Sequence, residues 1–173
     1  MMAVVCFELI PEALKISGLL SVLMGIILGI ITMIYCDLIV QNKFDIKGIK
    51  GKNTLLKTGI IVSIGLAIHN IPEGLAIGSG FEASIKLGFG LALAICLHDI
   101  PEGISMSVPM KNGGMKISKV IFYVVLSGIT TGIGAFLGAI IGTISTSVIA
   151  VCLSFAAGAM LYIVSRRINT RSK

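Results

Sequence analysis

Two six-residue segments carry the chemistry available to this sequence: His69-Asn70-Ile71-Pro72-Glu73-Gly74 and His98-Asp99-Ile100-Pro101-Glu102-Gly103, offset by 29 residues. On a helix turning about 100° per residue, Glu73 lies about 40° from His69 and Asn70 about 100° from it. The second copy repeats this with His98, Asp99 and Glu102. Two facing helices could therefore hold one metal through His69, Glu73, His98 and Glu102. An adjacent position could use Asn70, Glu73, Asp99 and Glu102, with both glutamates bridging. Imidazole with carboxylate is a borderline donor set that suits Zn²⁺, Fe²⁺, Mn²⁺ or Co²⁺ rather than Cu⁺. Such ligands bind deprotonated, so falling pH favours metal release. A metallopeptidase would need His-Glu-x-x-His on one helix, which is absent, and no enzyme activity is expected. A lone His or Glu would suit a structural hydrogen bond, and a proton channel could use the same groups. A duplicated four-ligand set favours a metal.

The elements that must position these residues are membrane helices. The chain has 173 residues, 55% hydrophobic and 13% charged, with a mean hydropathy of +1.03. Soluble domains carry about 25% charge, and disorder needs low hydrophobicity with high charge. Both classes are excluded, and so is a nucleic-acid binder, despite a net charge of +6. A spanning helix needs about 20 apolar residues. Spans are predicted over about 16–40, 58–81, 87–110, 120–142 and 146–165, after a partial or interfacial helix over 1–15 interrupted by Glu8, Pro11 and Glu12. The fold class is an all-α integral membrane bundle in one transmembrane domain over 1–173. His69 and His98 each fall twelfth in an apolar stretch, near the bilayer midplane. A carboxylate there costs about 2.5–3.5 kcal/mol, so Glu73, Asp99 and Glu102 together call for a cation between the helices or a hydrated cavity. No Lys or Arg lies within either stretch.

Twelve of the 14 Lys and Arg residues fall on alternate connections, in the loop 41–57, around 111–119 and after 165. Basic connections stay cytoplasmic, so the loop 41–57 and the C-terminus are expected there. Pro72 and Pro101 free the carbonyls of Ile68 and Leu97, which could face ions or water. Glycines at four-residue spacing (Gly25/Gly29, Gly74/Gly78, Gly128/Gly132, Gly134/Gly138/Gly142) predict close helix contacts. Cys6, Cys36, Cys96 and Cys152 form no pairing pattern and are expected to be buried apolar side chains.

At these residues the sequence resembles the ZIP (Zrt/Irt-like) family of divalent metal transporters, in its bacterial branch. HNIPEG at 69–74 and HDIPEG at 98–103 look like the signatures of that family's fourth and fifth helices. FELIPEAL at 7–14 resembles its second helix, the YCD ending at Asp37 its third, and SFAAGAMLYIVS at 154–165 its seventh. The resemblance implies an eight-helix fold of which this chain carries helices 2–7, lacking the first and last. It also implies a primary transport site of His69, Glu73, His98 and Glu102, with Asn70 and Asp99 in a second. Where the family's sixth helix usually carries a glutamate, Thr131 stands here. Arg166-Arg167 replaces the family's acidic continuation after the seventh, and the loop 41–53 has no histidine.

The function expected is import of a divalent cation to the cytoplasm across the cell membrane, zinc first, with iron or manganese as alternatives. The metal is cargo and no cofactor is expected. The bilayer is a partner, and a second copy could cover exposed helix faces in a homodimer. The competing function is a truncated, non-transporting metal-binding membrane protein or scaffold.

Overall fold

A computed structural model describes residues 2–43 and 52–171. Every element among them is helical: α1 Met2–Val4, a π-helical stretch Val5–Leu9, α2 Ile10–Ile16, α3 Leu19–Lys43, α4 Lys52–Ala83, α5 Ile85–Asn112, α6 Ile117–Gly142 and α7 Thr146–Arg171. Five of these, α3 to α7, are long and apolar enough to cross a membrane, as a multi-pass membrane bundle requires. Of the twelve basic residues counted above, Lys47, Lys50 and Lys173 lie outside the described residues.

Local chemistry explains the breaks. The π-helical stretch ends with the Ile10 N–H bonded to the Val5 carbonyl, just before Pro11, which has no N–H to donate. Val5, Leu9 and Ala13 recur on one buried face, packed into a core with Ala150, Leu153 and Ala157 of α7. The N-terminal helix is thereby part of the bundle's interior rather than a surface appendage. Ser17 turns extended and, with Gly18, separates it from α3. Ser84 caps α5 by accepting from the Leu87 N–H at 3.1 Å. After α5, Gly114 takes φ +90°, and the Met115 N–H returns to the Met110 carbonyl at 3.1 Å. That left-handed step favours glycine.

Two tight helix pairs form the frame. On α4 and α6, Cβ atoms at Gly74 and Gly78 would overlap the carbonyls of Thr131 and Ala135, and at Gly134 and Gly138 those of Ile71 and Leu75. On α3 and α7, Gly25, Gly29 and Gly158 interlock in the same way. Gly128 and Gly132 have the same spacing but face open space, so spacing alone does not identify a contact. The wide apolar faces of α3, α5 and α6 are exposed, including Leu20, Ile27, Leu93, Leu97, Phe122 and Phe136, as lipid-facing surfaces are. The expectation of four buried cysteines is corrected: Cys152 is buried, Cys36 is partly exposed, and Cys6 and Cys96 are exposed. In a lipid-facing helix an apolar side chain need not be covered by protein.

Candidate metal site

Both motif copies sit inside continuous helices. His69 falls at the middle of the apolar segment Thr54–Ala83, and His98 at the middle of Ile85–Asn112. Antiparallel packing across the short turn at Ser84 brings the two midpoints to one depth. The helices run unbroken through Pro72 and Pro101. Of the two residues whose carbonyls are freed, Ile68 lines a partly open cavity and Leu97 faces outward.

Four side chains converge between α4 and α5. His69 Nε2 lies 3.2 Å from Glu73 Oε1 and 4.0 Å from Glu102 Oε1. His98 Nε2 lies 3.7 Å from Glu73 Oε1 and 3.1 Å from Glu102 Oε1. One atom each from His69, His98 and Glu102 can be chosen with all three inside 4.8 Å of one another. A tetrahedral zinc site with bonds of about 2.0–2.1 Å puts its ligand atoms about 3.3 Å apart, and the measured separations bracket that spacing. His69, Glu73 and Glu102 are buried, with Glu73 at 0% exposure, while the His98 side chain retains 18%. His69 Nε2, His98 Nε2 and both Glu73 oxygens are buried without an aligned protein partner among the described residues. Polar atoms so placed are rare in folded proteins unless something else satisfies them, and a cation among them would do so.

Asn70 and Asp99 stand to one side. The Asn70 amide donates to the Ser127 carbonyl of α6 at 3.0 Å. Since a carbonyl only accepts, the amide nitrogen faces α6, and the buried Asn70 Oδ1 has no protein partner among the described residues. Asn70, Asp99 and Glu102 share a cavity of about 110 Å³ with Ser127 and Met106. Glu73 is not on its wall; Glu102 belongs to both places. Thr131 lies one turn beyond Ser127, with its hydroxyl buried.

The surroundings differ on the two sides of the four-residue cluster. Toward the α4–α5 turn, Val4, Ala94, Ile95 and Met160 close against Glu73 and His98, leaving about 10 Å³, barely one water. Toward the α3–α4 connection, a cavity of about 270 Å³ opens between α3, α4 and α7, with His69 on its wall. Asp37 and Tyr162 line it too, the tyrosine hydroxyl donating to Asp37 Oδ2 at 3.0 Å. No sequence pattern assigns a role to Asp37 or Ser127. The available signal for Asp37 is an acidic residue near the end of the otherwise uncharged segment Leu19–Val40.

Comparison with known proteins identifies a family. The ZIP zinc transporter family model matches residues 46–168, which include both motif copies. The chain is 37% identical over 113 residues to zinc transporter ZIP11 of Xenopus tropicalis, covering 61% of this chain and 34% of that protein. It is 30% identical over 159 residues to zinc transporter GufA of Myxococcus xanthus, covering 90% of this chain and 62% of GufA. With human ZIP11 the figures are 35% over 111 residues, 60% and 32%. The chain thus spans about a third of the ZIP11 proteins and under two thirds of GufA. The match over most of its length shows that this chain belongs to the ZIP zinc transporter family.

Proposed function

We propose that this chain carries a divalent transition-metal cation, zinc first, with iron or manganese as alternatives, through a membrane and into the cytoplasm. The observation that carries the reading is the convergence of His69, Glu73, His98 and Glu102 at one buried point. Two imidazoles give the borderline preference, and two carboxylates neutralise the ion at a depth where an isolated charge is costly. ZIP11 and GufA, both zinc transporters by name, support zinc as the cargo. The role is transport rather than catalysis. Asn70, Asp99 and Glu102 form an adjacent oxygen-rich position in this scheme, and the cell membrane is the proposed location.

Two features support an inward path. The basic residues put the α3–α4 connection and the C-terminus in the cytoplasm. The cavity beside His69 lies on that same side, whereas Val4, Ile95 and Met160 close the other. The described conformation is then one open inward. Alternating access would require the apolar side to part while the cavity collapses.

Radiolabelled zinc uptake into vesicles holding the full chain tests this reading. Replacing both Glu73 and Glu102 with Ala should reduce uptake to background. Undiminished uptake contradicts the assignment. Zinc binding without any uptake by the parent chain would favour the competing function, metal binding without flux.

A further inference from the structure

The α4–α6 pair interlocks, whereas α5 and α6 meet loosely. A Cβ at Gly74 would overlap the Thr131 carbonyl, but one at Gly103 would meet only Val124, at 3.8 Å. The space between α5 and α6 is an open groove of about 500 Å³. Ile104 and Ser107 of α5 line it together with Ile117 and Ile121 of α6, and Asp99 marks its inner end near the midplane. Ile104, Ile117 and Ile121 are exposed, so the groove opens to the surrounding lipid. Its other end is basic. Lys111 follows Ser107 by four residues and so stays within about 40° of the groove-facing side of α5. Lys116 directly precedes Ile117. Both lysines are exposed, and neither joins an ion pair among the described residues. No Asp or Glu follows Glu102 in the sequence, and the first turns of α4, packed on Gly113 through Leu56, carry none either. The helices around the mouth of the groove therefore supply no counter-charge. Lys119 is exposed too, but it lies two residues past Ile117 and so about 160° round α6 from it.

We propose that the α5–α6 groove is a binding site for one anionic phospholipid. An acyl chain lies between Ile104 and Ile121, and the phosphate headgroup sits between Lys111 and Lys116. The site goes beyond metal transport and does not depend on its direction. Apolar walls facing a bilayer suit an acyl chain, and the volume falls within the range of about 300–1,000 Å³ usual for small-molecule sites. Basic residues between helices at a membrane surface hold acidic headgroups. A zwitterionic lipid fills the same groove but leaves the positive charge of the two lysines uncompensated. Selection is therefore made at the headgroup, while the chain supplies the fit. Bound there, the lipid joins α5 to α6 where the protein itself joins them least.

Native mass spectrometry of the full chain in detergent tests this, with phosphatidylglycerol and phosphatidylcholine of identical acyl chains as the probes. A lysine near an anionic headgroup is worth about fivefold in affinity, so phosphatidylglycerol should bind about 25-fold more tightly. Replacing Lys111 and Lys116 together with Gln should bring the two lipids level. Lys119→Gln, whose side chain starts from the far side of α6, should leave the preference intact. Ser107→Trp, which fills the groove, should abolish tight binding of phosphatidylglycerol while both lysines remain. In vesicles of phosphatidylcholine and phosphatidylglycerol, a diazirine amino acid in place of Ile121 should crosslink to lipid. The proposal is overturned if the parent chain binds both lipids equally. It is also overturned if Lys119→Gln costs as much as the Lys111 and Lys116 pair, since the attraction would then be a diffuse property of the basic surface. Capture of a second polypeptide from position 121 would overturn it as well, because protein rather than lipid would then fill the groove.

Discussion

The two copies of the motif share one ligand pattern but sit in unlike surroundings. The first lies on α4, enclosed by α5, α6 and α7, and Gly74 meets the α6 backbone with no room for a Cβ. The second lies on α5, whose outer face, including Leu93, Leu97, Ile100 and Ile104, is exposed. Gly103 meets only Val124, at an ordinary 3.8 Å. Asn70 is held by α6 through Ser127, whereas Asp99 borders both the 110 Å³ cavity and a wider groove between α5 and α6. A repeat in sequence thus becomes a fixed half and a looser half in space. The ligands are equivalent; their supports are not.

The sharpest way to break that equivalence is to remove one ligand from each copy. Hydrogen-bond partners of metal ligands are worth about 10–100-fold in affinity, so losing a ligand itself should cost at least about 100-fold. Glu73→Ala and Glu102→Ala should show this alike in zinc titrations. A large effect for one and none for the other would break the two-copy account.

The glycines should separate the copies instead. Gly74→Ala forces a methyl into the Thr131 carbonyl, and overpacking of this kind costs about 1–3 kcal/mol. Gly103→Ala meets nothing closer than 3.8 Å and gains helix propensity of up to about 1 kcal/mol. Thermal unfolding in detergent should therefore show Gly74→Ala lowered and Gly103→Ala unchanged or raised. Equal losses would mean that α5 is as tightly held as α4.

Smaller differences are expected beside the ligands. Asn70→Ala should cost about 1 kcal/mol of stability through its lost bond to Ser127. Asp99→Asn removes a half-buried charge outside the four-residue cluster, so zinc affinity there should change by no more than about threefold, the attraction being moderated by the effective dielectric. A hundredfold loss in Asp99→Asn would make Asp99 a ligand of the first ion.

Much of this was legible because it is periodic. The 29-residue offset, the spacing of His and Glu within one turn, and the apolar lengths fix depth and facing without knowledge of the fold. The spacing of Gly74/Gly78 and Gly134/Gly138 announced a close contact, yet Gly128/Gly132, written identically, opens onto empty space. Spacing describes a face and leaves its partner unstated. The cavity was not legible for the same reason. Asp37 and Tyr162 meet across 125 residues, and Asn70 and Ser127 across 57, and no local pattern encodes either meeting. Cysteine burial failed differently: a bundle among lipids need not cover its apolar side chains with protein.

The central claim is that His69, Glu73, His98 and Glu102 hold one ion. Anomalous diffraction at the zinc edge from crystals of the zinc-loaded full chain tests it most directly. The account predicts a peak between α4 and α5 with His69 Nε2, His98 Nε2 and one oxygen from each glutamate at about 2.0–2.2 Å. Fully loaded crystals with zinc elsewhere and nothing among these four side chains would contradict it.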